Sequence, residues 1–378
     1  MSRVTDHPVD LPSSYLDEFA ESPGYLDFAR IGPPSRRVVD AMAAAAGRVR
    51  APGQGTLDLL LGQSAEARRR AARLLATQVE HVTLVSSTSA GLFAVALGLP
   101  AGNVVVPARE FPANRYPWVR AAAARGGEVR WLDTPDGRLT PDGVAALVDR
   151  DTTAVTASLV DFRTGFRADL AGLREAAGDA LLVVDAAQAL GAVRVSLEPA
   201  DVLVAGGQKW LRAGFGGGIL ACSPRALERL EPVLSGYAGV EDAFDAGHRA
   251  ASPVLPGADR FSLTVFDPFA AAAMAAALTL VEEAGIDRLE AAITRRVRGL
   301  ELAVRWAGAQ VLAPWRSQDE RAGILSFRVP GIRPERLVDQ LAKAGLTVST
   351  FGGWARLSPH ATTPLETADQ LADALASG

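Results

Sequence analysis

Lys209, in the run AGGQKWL at 205–211, is one of only two lysines in a chain with 39 basic residues; the other is Lys343. Everywhere else the positive charge is arginine. A position that keeps lysine against that usage points to a need arginine cannot meet. Arginine stays protonated, whereas a lysine amine can lose its proton and attack a carbonyl. Lys343 lies in an amphipathic helical stretch and reads as a surface residue.

Two further groups have the types and spacing to act with Lys209. In VVDAAQALGA (183–192) a buried strand ends on Asp185, and Gln188 follows three residues later. Lys209 comes 24 positions after Asp185, just beyond the next strand, DVLVAG (201–206). In a parallel α/β sheet, ligands bind at the carboxyl ends of strands, so neighbouring strands deliver an acid and a lysine to one rim. A carboxylate there needs a cationic or hydrogen-bonding partner. The third group is LVSSTSAGLFAVALG (84–98), a strand, a Ser/Thr-rich turn and a helix. Ser87, Thr88 and Ser89 at the helix start, taken alone, read first as a cap, and with the other groups as an anion site made of hydroxyls and free N–H groups. Together the three call for a phosphate, a ring nitrogen that takes a carboxylate partner, and an aldehyde that takes an amine. Pyridoxal phosphate has all three.

The elements that must position these groups follow from periodicity. Short β-branched runs at 81–87, 103–108, 128–132, 153–160, 181–186, 201–206 and 218–222 alternate with Ala-, Leu- and Arg-rich helical segments. This pattern predicts βαβ units and a mostly parallel seven-stranded sheet in a large domain over 15–270. Residues 268–307 read as long helices broken near Gly285. A strand at 323–329, a helix, two short strands and a last helix then predict a smaller α+β domain over 271–378, with residues 1–30 packing near it.

The whole pattern resembles the class V aminotransferase superfamily, the fold-type I group that includes cysteine desulfurases, kynureninase and isopenicillin N epimerase. The resemblance runs from YLDFARIGPP near the N-terminus to WARLSPHATTPLETADQL near the C-terminus, and is strongest in VVDAAQALGAV, ADVLVAGGQKWL and GFGGGIL. It implies that Lys209 forms the Schiff base with pyridoxal phosphate, that Asp185 pairs with the pyridine nitrogen, and that Gln188 hydrogen-bonds the phenolic oxygen. It places Thr88 and Ser89 at the phosphate and Phe111 over the ring, where desulfurases have histidine. Arg356 matches the arginine that clamps the substrate carboxylate, a task its planar fork suits. Some positions depart from the pattern. The Ser-Gly-His-Lys run of desulfurases is Gly206-Gly207-Gln208-Lys209 here, leaving Gln208 one hydrogen bond to offer the phosphate. A threonine that reaches the phosphate across the family's dimer falls near Thr264, one residue out of register. Phe162 stands where desulfurases have asparagine.

Composition narrows the rest. A net charge of −4 and the absence of basic arms give no footprint for nucleic acid. The first residues lack an apolar signal core, and the longest apolar run, from Pro268, is short for a membrane span. A cytoplasmic protein is expected, and the resemblance implies a homodimer. His7, His81, His248 and His360 do not cluster, so no metal site is expected. The single cysteine, Cys222, reads as a buried hydrophobe. No cysteine lies between 307 and 358, where desulfurases carry their nucleophile, which argues against desulfuration through a protein persulfide. Aminotransfer on an amino-acid substrate is the favoured reaction. β-Elimination, including carbon–sulfur cleavage, and epimerisation or decarboxylation-linked chemistry at Cα stay open. So does a catalytically idle binding protein on the same fold.

Overall fold

A computed structural model describes residues 11–244 and 252–376. His7, His248 and the first ten residues of the segment expected near the small domain therefore lie outside the described residues.

The expected seven strands form. They are β1 (Val82–Val85), β2 (Gly102–Pro107), β3 (Gly127–Leu132), β4 (Thr152–Ser158), β5 (Leu181–Asp185), β6 (Val202–Gly206) and β7 (Gly218–Cys222). The sheet order is β1-β7-β6-β5-β4-β2-β3. β3, β2, β4, β5 and β6 run parallel, and β7 is antiparallel to both β6 and β1. β5, β6 and β7 are buried at every position, as expected for central strands with both faces covered. That burial explains why Leu-Leu-Val-Val runs straight into a charged residue. The strand is apolar throughout, and Asp185 is its exit at the carboxyl rim.

The helices cover both faces. Thr88–Gly98 follows β1 after a two-residue turn, and Ser87 caps it by accepting the Ala90 N–H at 3.1 Å. Pro268–Ala284 is buried along most of its length and packs against helices Arg36–Arg50 and Thr56–Leu74. Gly285, at φ 82°, ends it, and the chain bends by 81° into Ile286–Trp306. Only a residue without a Cβ takes that left-handed conformation cheaply. Among the described residues no single helix is long and apolar enough to cross a membrane.

A second sheet follows, with β8 (Gln310–Val311), β9 (Leu325–Arg328), β10 (Ser349–Phe351) and β11 (Trp354–Leu357) in the order β10-β11-β9-β8, all antiparallel. Helices Pro334–Lys343 and Thr367–Ala376 complete this part. The N-terminal stretch around Tyr25 and Asp27 bridges to Thr347 and Ser358. Further along the same stretch, Gly32 donates its N–H to the Gln208 carbonyl at 2.8 Å. A Cβ at Gly32 would lie 1.8 Å from the Lys209 carbonyl oxygen. The IGPP segment thus lies directly on the lysine turn, and glycine is required for that approach.

Candidate active site

β5 and β6 are neighbours, so Asp185 and the turn that follows Gly206 reach the same rim. The helix Thr88–Gly98 points its N-terminus at this rim from one side. The cavity between them has a volume of about 100 Å³ and is lined by Ser87, Thr88, Ser89, Phe111, Asp185, Gln188, Gln208 and Lys209, with Ser158 and Phe162 at its edge. Thus seven of the nine residues singled out in the sequence converge on one cavity.

Lys209 Nζ lies 5.2 Å from the centre of the Phe111 ring. Burial lowers its pKa to about 8; the Asp185 charge opposes this and the Arg356 charge adds to it. Asp185 is 4 % exposed. One carboxylate oxygen accepts the Ala187 N–H at 2.8 Å, and no other hydrogen bond to the carboxylate exists among the described residues. Burial raises its pKa, with that hydrogen bond and the Lys209 charge pulling the other way. Gln188 is fixed by its neighbours. Its Oε1 accepts the Trp210 indole N–H at 2.8 Å, and its Nε2 donates to the Ala29 carbonyl at 3.0 Å. One amide N–H remains for a ligand in the cavity.

Arg356 sits on β11 and is 5 % exposed. Nη1 donates to the Phe162 carbonyl at 2.9 Å, and Nε and Nη2 donate to Ser349 Oγ at 3.3 and 3.2 Å. Asp27 lies 3.6 Å from Nη2. Three of the five guanidinium N–H groups are thereby used, the second Nη2 N–H faces Asp27, and one N–H on Nη1 remains free. Thr264 lies elsewhere. Its hydroxyl donates to Tyr237 Oη at 2.9 Å, and it lines a different cavity of about 550 Å³ with Leu61, Leu263 and Gly216.

The residues present fit pyridoxal phosphate. Thr88 Oγ1 is buried without a hydrogen-bond partner at the mouth of the helix. A Cβ on Gly206 would meet Gln208 Oε1 at 2.4 Å and Thr88 Oγ1 at 3.2 Å. A side chain at that position would therefore fill the space between the two polar groups that face a phosphate. Free N–H groups at the first helical turn complete an anion cradle. Asp185, buried without a cation in contact, gains its missing partner when a ring N–H is present.

Sequence reasoning missed Glu110. It lies three residues beyond the end of β2 and touches Ser158, which lines the cavity. Its two oxygens accept the Ser158 N–H at 2.7 Å and the Ser158 hydroxyl at 2.5 Å. Burial pushes its pKa up to about 7, the Ser158 hydrogen bonds pull it down, and the nearby Asp185 charge pushes it up further. Its place next to Phe111 at the carboxyl end of β2 is a signal that could have found it. Cys222 pairs with Val202 at the start of β6, the end of the sheet opposite Lys209. It is fully buried, and burial pushes its thiol up to about 12. His360 is buried with its ring stacked on Phe28 and Trp210.

Residues 33–367 match the family model of aminotransferase class-V. The chain belongs to that family of pyridoxal phosphate-dependent enzymes, and pyridoxal phosphate is the cofactor the site is built for. Among curated relatives, a probable cysteine desulfurase of Pyrococcus abyssi is 27% identical over 73% of this chain and 70% of its own length. The kynureninase of Deinococcus radiodurans is 29% identical over 73% of this chain and 68% of its own. A variant of the protein C-DES, solved with glycine covalently linked to its pyridoxal phosphate, shares the fold with a TM-score of 0.88 and 20% identity, covering 97% of this chain and 99% of that one.

Proposed function

We propose that the protein acts on an α-amino acid by moving the proton at Cα, with Lys209 as the base and aminotransfer as the reaction. The observation that carries this is the buried Lys209 amine. Burial lowers its pKa to about 8, with the Asp185 charge opposing and the Arg356 charge adding to that shift. When bound, pyridoxal phosphate supplies an electron-accepting ring that stabilises the charge left at Cα.

The chain's own residues divide the remaining work. Thr88, Ser89, Gln208 and the helix N-terminus hold the phosphate. Asp185 keeps the ring nitrogen protonated, Gln188 donates to the phenolic oxygen, and Phe111 covers a ring face. Arg356 receives the substrate carboxylate on its terminal N–H groups, with the Nη2 N–H taken over from Asp27, which fixes Cα near Lys209 Nζ. An amine with a pKa of about 8 can take a proton from Cα and deliver it to the former aldehyde carbon of the cofactor, so aminotransfer would need no second acid–base group.

β-Elimination is the second reading, and Glu110 favours it. A carboxyl group with a pKa of about 7 beside the substrate side of the cavity could protonate a group leaving from Cβ. The two readings separate on products. Holoenzyme incubated with a panel of amino acids that includes S-substituted cysteines leaves a keto acid plus pyridoxamine phosphate for aminotransfer. Elimination yields pyruvate with ammonia and a thiol. If no amino acid is consumed and none perturbs the cofactor's spectrum, the enzyme reading fails and the idle-binder alternative stands.

We also propose a homodimer, with Thr264 on its interface. Leu263, 56 % exposed, lines the 550 Å³ cavity with Thr264, and Leu57, Leu59 and Phe215, close in the chain to its lining residues Leu61 and Gly216, are more exposed still. Exposed apolar residues grouped in this way commonly mark an association surface.

A further inference from the structure

Beyond the aromatic wall of the lysine cavity lies a second, larger space of about 630 Å³. Phe111 and Phe162 line both cavities, so the larger one continues outward from the place where a substrate side chain must leave Cα. We propose that this outer cavity receives the side chain of an aromatic amino-acid substrate, neutral or anionic, and that Phe351 selects it. The proposal rests on the reading above that an α-amino acid reacts at Lys209.

Three observations carry it. The first is size, since the side chain of alanine or cysteine would leave most of 630 Å³ empty. The second is the wall. Phe111 and Phe162 meet edge to face at 5.2 Å, and Phe162 and Phe351 do so at 4.6 Å. Phe111 and Phe351 nevertheless stay 41 % exposed, with ring surface turned to the cavity that no protein side chain covers. A further ring can join this series in the edge or offset geometry that aromatic pairs favour. The third is charge. Arg163 is neutralised by Asp161 at 2.7 Å, but the Arg115 guanidinium at the rim stacks over Trp131 at 5.2 Å and makes no ion pair among the described residues. Arg109 at the same rim is only 4.0 Å from Asp133. Of the acids on the wall, Glu110 carries only part of a charge at pH 7 because burial raises its pKa to about 7, and Asp136 is the other counter-charge. The field in the cavity therefore disfavours a cationic side chain such as that of lysine or arginine.

Phe351 is the residue to test. It lies on β10 beside the exposed Gly352-Gly353 turn, and among the aromatic rings it touches only Phe162, so truncating it removes one edge-to-face contact and leaves the strand in place. Holoenzyme is titrated with alanine, phenylalanine, tryptophan and lysine, following the visible absorbance of the cofactor. In wild type the aromatic amino acids bind tighter than alanine, and lysine binds most weakly. Phe351→Ala weakens the aromatic ligands by roughly tenfold, the scale of one aromatic contact plus its buried area, and leaves alanine unchanged. Phe351→Leu, which keeps apolar volume but loses the ring, falls between. Alanine binding as tightly as phenylalanine, or an equal loss for every ligand in Phe351→Ala, overturns the proposal while leaving the Lys209 reading intact. No spectral response to any amino acid overturns both.

Discussion

Replacing Glu110 by glutamine should stabilise the protein, and more so as pH rises. The Glu110 carboxyl is buried, accepts two hydrogen bonds from Ser158 and feels the Asp185 charge. Its pKa rises from an ordinary 4.5 to about 7, chiefly because burial penalises the charged form. An acid with a raised pKa holds its proton in the fold after the unfolded chain has lost it. Its contribution is therefore fully favourable below pH 4.5 and is lost as pH rises through 7. The difference between the two pKa values corresponds to about 3 kcal/mol. Glutamine keeps the shape, accepts the Ser158 N–H and donates to the Ser158 hydroxyl oxygen, while removing the charge. Urea unfolding of both forms, saturated with pyridoxal phosphate, gives the comparison. At pH 5 the two should unfold within about 1 kcal/mol of each other, and at pH 8 Glu110→Gln should be the more stable by about 2–3 kcal/mol. A stability difference that is the same at both pH values would show that Glu110 is an ordinary carboxylate and that its placement against Asp185 is wrong.

Asp185→Asn removes the carboxylate proposed to keep the ring nitrogen protonated, and turnover should drop at least ~10²-fold with the fold retained; steady-state kinetics beside circular dichroism checks this. Arg356→Lys keeps the charge but cannot offer two N–H groups to a carboxylate while also holding Ser349 and the Phe162 carbonyl. Amino-acid binding should weaken by about 1.5–3 kcal/mol with cofactor binding unchanged, read by titrating the cofactor absorbance with substrate. Sedimentation should find a dimer at micromolar concentration, and Leu263→Arg, on the exposed apolar surface, should shift it towards monomer.

Much of this was legible in the chain itself, for identifiable reasons. The seven strands of the large sheet are short β-branched runs bounded by turn residues, and a strand buried on both faces cannot hide that pattern. Asp185 and Lys209 were legible because both follow directly from such runs. The antiparallel course of β7 could also have been read, since the 207–217 connection is too short for the helical crossover a parallel strand needs. Other features carry no local signal. β8 is only two residues long, Gln310–Val311, and exists because β9 offers it an edge. Glu110 finds Ser158 across 48 positions, and Arg356 meets Phe162 across 194. Such pairs are created by the sheet order, which spacing along the sequence does not encode. The contact of Gly32 with the lysine turn belongs to the same kind. The motif YLDFARIGPP was visible, but what it packs against was not.

The central claim is that Lys209 is the residue that holds pyridoxal phosphate. Purified holoenzyme should be yellow, and borohydride should bleach it by fixing the cofactor to the protein. Proteolysis and mass spectrometry should then find the reduced pyridoxyl group on the peptide that contains Gly207-Gln208-Lys209-Trp210 and nowhere else. A label on Lys343, or a cofactor that washes away after reduction with Lys209 unmodified, would contradict the account.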